Sequence, residues 1–164
     1  MLTHPKMCDK ETAKKRILAC REQGKKIVFT NGCFDILHVG HVDLLERAKA
    51  LGDILVLGLN SDESVKNQGK GDDRPFNPYE ARAFVLAHLE SVDIVVPFHE
   101  DTPIKLIEEF VPDILVKGGD WDIEKIVGKD IVQKNGGQVF SLPLIQGYST
   151  TGLANKIAKT HKIA

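Results

Sequence analysis

Five short apolar runs, alternating with stretches of helical periodicity, limit what this sequence can fold into. They are Lys26 to Thr30 (KIVFT), Asp53 to Asn60 (DILVLGLN), Asp93 to Pro97 (DIVVP), Asp113 to Val116 (DILV) and Gln138 to Leu142 (QVFSL). The second and third are nearly continuous in apolar residues, as strands covered on both faces must be. Between the runs, the apolar positions Ala13, Ile17 and Leu18 with Ala19 and Cys20 follow helical spacing and predict a leading helix over about 9–23, with Gly24 as its stop. A second helix follows from about Gly40 to Leu51, its apolar face Val42, Leu44, Leu45, Ala48 and Leu51, with Gly52 ending it. Asn77-Pro78-Tyr79-Glu80 offers an N-cap, a first-turn proline and an acid three residues after the cap, so a third helix is expected to run to about Leu89. Thr102-Pro103 opens another to about Phe110, and a last one begins near Ser149. This alternation predicts an α/β fold: a Rossmann-like, doubly wound parallel sheet of five strands with helices on both faces. Ligands of such sheets bind beyond the strand ends at the topological switch.

At 164 residues the chain suits one domain spanning 1–164. With 22 Lys+Arg against 23 Asp+Glu, no overall field recruits nucleic acid, which favours a small-molecule partner. Cys8, Cys20 and Cys33 lack the paired spacing of a zinc site or a disulfide framework, which fits a reducing compartment. Lys6, Cys8, Asp9 and Lys10 stand where a signal peptide needs an apolar core, and no window approaches a membrane span. A cytoplasmic protein without a membrane partner is expected.

The chemistry is concentrated in Thr30-Asn31-Gly32-Cys33-Phe34-Asp35-Ile36-Leu37-His38-Val39-Gly40-His41, where a strand ends in a turn and delivers two histidines to the mouth of a helix. Backbone N–H groups of the Asn31, Gly32, Cys33 and Phe34 turn, the helix dipole and the imidazoles of His38 and His41 would converge on one anion. Gly40 lacks a Cβ that would obstruct a phosphate. Ser149, Thr150 and Thr151 open the closing helix as a second anion cradle, or Ser149 is an ordinary cap. Gly118 and Gly119 give a nucleotide base or ribose close approach, or form a simple turn. Arg74 is either a bidentate phosphate clamp or a salt-bridge partner. Asp35 and Asp62 stand at strand ends facing the crevice, where they contact the sugar or a metal, or are turn carboxylates; Asp120 has the same two readings. No protein cage for a metal is legible.

Thr30-Asn31-Gly32-Cys33-Phe34-Asp35 followed by His38-Val39-Gly40-His41 resembles the HxGH nucleotidyltransferase family. Further blocks resemble it in order: Asn60-Ser61-Asp62, Lys70, Arg74-Pro75, Lys117-Gly118-Gly119-Asp120-Trp121 and Gly147-Tyr148-Ser149-Thr150-Thr151. The resemblance covers roughly residues 26–157. It implies in-line attack by a substrate phosphate oxygen on the α-phosphorus of a nucleoside triphosphate, with pyrophosphate leaving and no covalent enzyme intermediate. It further implies that His38 and His41 bind the triphosphate, that Lys70 reaches across the reacting phosphates, and that Mg²⁺ accompanies the nucleotide. A homodimer is compatible with it.

Within the family, Arg74-Pro75-Phe76-Asn77-Pro78-Tyr79-Glu80-Ala81-Arg82, VKGGDW and GYSTT are most similar to the adenylyltransferases that convert heptose 1-phosphate and ATP to ADP-heptose for lipopolysaccharide or related surface glycans. In some bacteria that activity is half of a bifunctional kinase and transferase, and the expectation here is the transferase without the kinase. Two alternatives stay open. Glycerol-3-phosphate cytidylyltransferase shares the HxGH start but resembles an RTEGIST pattern near its end, where this chain has Leu144-Ile145-Gln146-Gly147-Tyr148-Ser149-Thr150. A non-catalytic nucleotide-binding module would keep the fold without turnover.

Overall fold

The computed structural model describes residues 1–69 and 73–160. Its centre is one sheet of five parallel strands, β1 (Ile27–Gly32), β2 (Ile54–Asn60), β3 (Ile94–Phe98), β4 (Ile114–Gly118) and β5 (Gln138–Leu142), in the order β3-β2-β1-β4-β5. The strand order reverses between β1 and β4, and that is where the predicted switch-point crevice opens.

Successive strand residues point to opposite faces, so each strand feeds two cores. Phe29, Val56, Ile94, Val96 and Leu115 pack with α1 (Lys10–Glu22), α5 (Ile104–Phe110) and α6 (Lys129–Lys134) through Ala13, Ile17, Leu106, Ile107, Phe110 and Val132. Val28, Leu55, Leu57, Val95 and Val116 pack with α2 (Val39–Lys49) and α4 (Tyr79–Ala87) through Leu44, Leu45, Ala48, Ala83, Leu86 and Ala87. Burial on both faces explains why these strands read as unbroken apolar runs, each fully buried aliphatic side chain contributing about 1.5–3 kcal/mol.

The aspartates that precede three of the runs have a common task. Asp53 accepts a hydrogen bond from Lys26 N (2.7 Å), Asp93 from Leu55 N (2.7 Å) and Asp113 from Ile27 N (2.8 Å). Each carboxylate thus satisfies a backbone amide at or next to the start of β1 or β2 and ties neighbouring segments together at the sheet's entry edge.

Several boundaries differ from expectation. β1 extends two residues further, to Gly32, because Asn31 and Gly32 still pair with Gly58 and Leu59 of β2. The expected Asn77 cap does not form: Pro78 is the N-cap, and the Asn77 side chain donates instead to the Asp35 carbonyl at 2.7 Å. Two short helices were not anticipated, α3 (Asp62–Lys66), capped by Ser61 through Ser64 N, and α6. Their five and six residues are too few for periodicity to register. The last helix, α7 (Thr150–Thr160), buries no residue. No helix among the described residues is long and apolar enough to cross a membrane.

Candidate active site

β1 ends in a turn that sets up everything beyond it. Phe34 adopts φ +45°, a left-handed backbone that costs a side-chain-bearing residue on the order of 1–3 kcal/mol. Its ring occupies the space a Cβ on Gly32 would need, at 2.8 Å, so Gly32 is glycine because of Phe34. The same ring packs at 5.1 Å against His41, which stacks on His38 with centroids 3.8 Å apart and planes 19° from parallel. His38 is the N-cap of α2 in extended backbone, and Gly40 and His41 lie in the first turn. A Cβ on Gly40 would sit 3.2 Å from the His38 ring, so this glycine first makes a seat for the histidine.

The Nδ1 atoms of both imidazoles are enclosed with no hydrogen-bond partner among the described residues. An orphaned acceptor costs less than an orphaned donor cation, so the neutral tautomer that presents Nε2–H is the one this enclosure favours. Burial lowers the His38 pKa, and burial followed by repulsion from His38 pushes His41 down to about 4. Both shifts favour uncharged rings at neutral pH in the ligand-free protein.

That burial carries a stability consequence. The unfolded chain takes up a proton on His41 near the ordinary 6.5, whereas the folded chain resists until about 4. Stability from this group is complete above about 6.5 and is lost as pH falls through that window. Thermal midpoints measured from pH 7 to pH 4 are expected to fall more steeply for wild type than for His41→Gln, which has no imidazole to protonate. Parallel curves would show that the imidazole is not held neutral.

Two adjoining clefts, of about 200 and 440 Å³, meet at the stacked pair. The smaller is lined by Cys33, Phe34, Asp35, His41, Arg74, Ser149, Thr150 and Thr151, the larger by His38, Val39, Tyr148, Ser149, Leu153 and Lys156 among others. The start of α7 therefore faces the start of α2 across a shared hollow. The Ser149 hydroxyl oxygen accepts from Gly152 N at 2.9 Å, the ordinary cap, and Thr150 Oγ1 reaches the Ile36 carbonyl at 3.4 Å. On the other side of the β1 exit, at the switch point, a crevice is lined by Asn31, Gln68, Asp101, Thr102, Lys117 and Trp121 over a floor of Leu115, Val116 and Ile126. Cys33 donates to Gln68 Oε1 at 3.3 Å, tying the two sides together.

The structure brings His38, His41, Cys33, Phe34, Gly40 and Ser149 to Thr151 into one region and places Asn31 in the crevice. Lys70 lies outside the described residues. Gly118 does not offer a close backbone approach: a Cβ there would meet Leu44 at 2.5 Å and Leu144 at 3.2 Å, so it is glycine for helix–strand packing. Asp120 is exposed and lines none of these three hollows. Asp62 pairs through one carboxylate oxygen with Arg82 at 2.6 Å. Asp35 is buried and spends both carboxylate oxygens on Arg74 and the backbone of Phe76 and Asn77, so it is not available to a sugar or metal.

Arg82 was missed. Its buried guanidinium donates to the carbonyls of Cys33 (2.8 Å), Asn60 (2.9 Å) and Asn77 (2.9 Å) as well as to Asp62. An arginine on the same helical stripe as Ala83, Leu86 and Ala87 was the available signal, because a charge on a buried face must be fully paired. Gln68, Asp101 and Thr102 had no such signature, and only the fold gathers them beside Lys117 of the VKGGDW block.

Comparison with known proteins agrees with this geometry. The model of the cytidylyltransferase-like family matches residues 29–153. The chain is 53% identical over 145 residues to the bifunctional protein HldE of Geobacter metallireducens, which covers 88% of this chain and 29% of that protein. It is 54% identical over 149 residues to the protein of the same name from Mesorhizobium japonicum, covering 91% of this chain and 30% of that one. The chain thus spans about three-tenths of the length of these relatives. Among solved structures, a lipopolysaccharide core biosynthesis protein from Thermoplasma volcanium is 31% identical with a TM-score of 0.60, over 77% of this chain and all of that one. The pantoate-beta-alanine ligase of Francisella tularensis, at 17% identity and a TM-score of 0.56 over 96% of this chain and 79% of that one, shares the fold.

Proposed function

The chain belongs to the cytidylyltransferase-like family, and from that premise we propose that it transfers the adenylyl group of ATP to heptose 1-phosphate, giving ADP-heptose and pyrophosphate for surface-glycan synthesis in the cytoplasm. The observation that carries this reading is the stacked pair His38 and His41 at the start of α2, facing the start of α7 across one hollow. The half-identity to the HldE proteins across nearly the whole chain supports the adenylyl and heptose assignments.

A phosphate oxygen of the acceptor attacks the α-phosphorus; that bond forms as the bond to the β-phosphate breaks, and the electron pair leaves with pyrophosphate. The developing charge on pyrophosphate needs donors already in place. Nε2–H of His38 and His41, the first amides of α2 and the Ser149 to Thr151 segment supply them without reorganisation. By the family resemblance, Lys70 would contact the reacting phosphates. The crevice of Asn31, Gln68, Asp101, Lys117 and Trp121 receives the sugar: polar side chains at its rim suit hydroxyls and the indole gives a flat wall. Mg²⁺ would arrive with the nucleotide and offset phosphate charge; among the described residues no three acidic, histidine or cysteine side chains converge to hold an ion.

The test is a panel of sugar and polyol phosphates against four nucleoside triphosphates, read by pyrophosphate release. Turnover is expected with ATP and heptose 1-phosphate. Turnover confined to CTP and glycerol 3-phosphate would replace this reading with the cytidylyltransferase one, and nucleotide binding without turnover would make the chain a binding module.

A further inference from the structure

Asp35 was expected at the sugar or a metal and Arg74 as a phosphate clamp or a salt-bridge partner, and the structure couples the two to each other. Their side chains are 1% and 10% exposed and meet through Arg74 Nε and Asp35 Oδ2 at 2.7 Å. The same carboxylate accepts from Phe76 N and Asn77 N, both at 2.9 Å, and Asn77 Nδ2 returns a bond to the Asp35 carbonyl. The guanidinium lies over the Phe76 ring at 4.5 Å.

A buried ion pair is a weak source of net stability, because desolvation offsets most of the attraction. What this arrangement secures is orientation. The carboxylate engages Nε, and the ring fixes the guanidinium plane. The two terminal nitrogens have no partner among the described residues and belong to a side chain that lines the hollow of His41, Ser149, Thr150 and Thr151. The outer edge of an arginine is the fork that matches two phosphate oxygens. Because two backbone amides share the Asp35 charge, the carboxylate positions the fork without cancelling it.

We propose that Asp35 is a positioning residue that holds Arg74 as a phosphate fork for the nucleoside triphosphate, on the same anion as His41 and the start of α7, and not for the sugar phosphate. This rests on the reading that the triphosphate occupies the histidine hollow. Two other lysines, Lys117 and Lys125, line the crevice on the other side of the β1 exit, where the sugar is placed under the proposed function.

Titration of inorganic tripolyphosphate into wild type, Arg74→Lys, Arg74→Gln and Asp35→Asn tests the assignment, alongside KM values for ATP and for heptose 1-phosphate. Losing one charge-assisted fork is expected to weaken tripolyphosphate binding about 10- to 100-fold and to raise KM for ATP while KM for the sugar phosphate stays put. Lysine keeps the charge without the fork and is not expected to rescue. Adding Asp35→Asn to Arg74→Gln should cost little more, since the carboxylate acts through the arginine. If Asp35→Asn does not fold, the two Arg74 variants decide the case.

Undiminished tripolyphosphate binding in the Arg74 variants, no binding by wild type, or a KM change confined to the sugar phosphate would overturn the proposal. Weakened binding in those variants, together with no turnover of heptose 1-phosphate by wild type, would uphold the fork and sink only the substrate assignment.

Discussion

Replacing His41 with alanine is expected to lower kcat by roughly 100- to 1,000-fold, the usual cost of removing one donor aimed at developing charge. The loss should fall on turnover far more than on the fold. His41 stacks on His38 and leans on Phe34, but its polar edge makes no hydrogen bond that the folded protein depends on. A ring whose Nδ1 is enclosed and unpaired is held for something other than stability. Glutamine, whose amide N–H can approach the position of Nε2–H, should recover part of the rate, whereas alanine also leaves a gap between two rings. Steady-state kinetics beside thermal melts check this. Equal losses of rate and of folded protein in both variants would mark a packing histidine. In the proposed site His38 and His41 act on one anion, so their combined loss should be smaller than the product of the single losses.

Arg82→Leu is expected to cost about 3–5 kcal/mol of folding stability, the range for breaking a buried charge arrangement by removing one partner. The side chain is fully enclosed and draws together the carbonyl at the β1 exit, the carbonyl at the end of β2 and the turn before α4. Leucine fills a comparable volume but leaves three carbonyls without their donor, and each buried group so stranded costs about 1–3 kcal/mol. Urea unfolding of the variant measures the difference. A loss under about 1 kcal/mol would mean that water or a backbone shift replaces the guanidinium, and the staple would then be an incidental contact.

The sheet was legible because burial on both faces leaves an unmistakable trace: five apolar runs became five parallel strands within one or two residues of their expected ends. The histidine pair was legible for a related reason, since strand, glycine turn and helix start form a local unit whose geometry follows from neighbouring residues. What the sequence concealed is whatever depends on long-range pairing. Asp35 and Asp62 looked alike, acids at strand ends, and only the fold supplies Arg74 to the first and Arg82 to the second. Asn77 read as a helix cap because the cap pattern is local, yet a buried acid more than forty positions earlier takes its backbone amide and side chain. Gly118 read as a ligand-approach glycine because nothing nearby in sequence announces Leu44.

The most direct measurement is a crystal structure of the protein with an ATP analogue whose α–β bridging oxygen is a methylene, so that the triphosphate cannot be cleaved. The expected result is β- and γ-phosphate oxygens within hydrogen-bond distance of the imidazoles at the start of α2 and of the first amides of α7. A triphosphate seated in the Lys117 and Trp121 crevice, with both imidazoles untouched, would contradict the account.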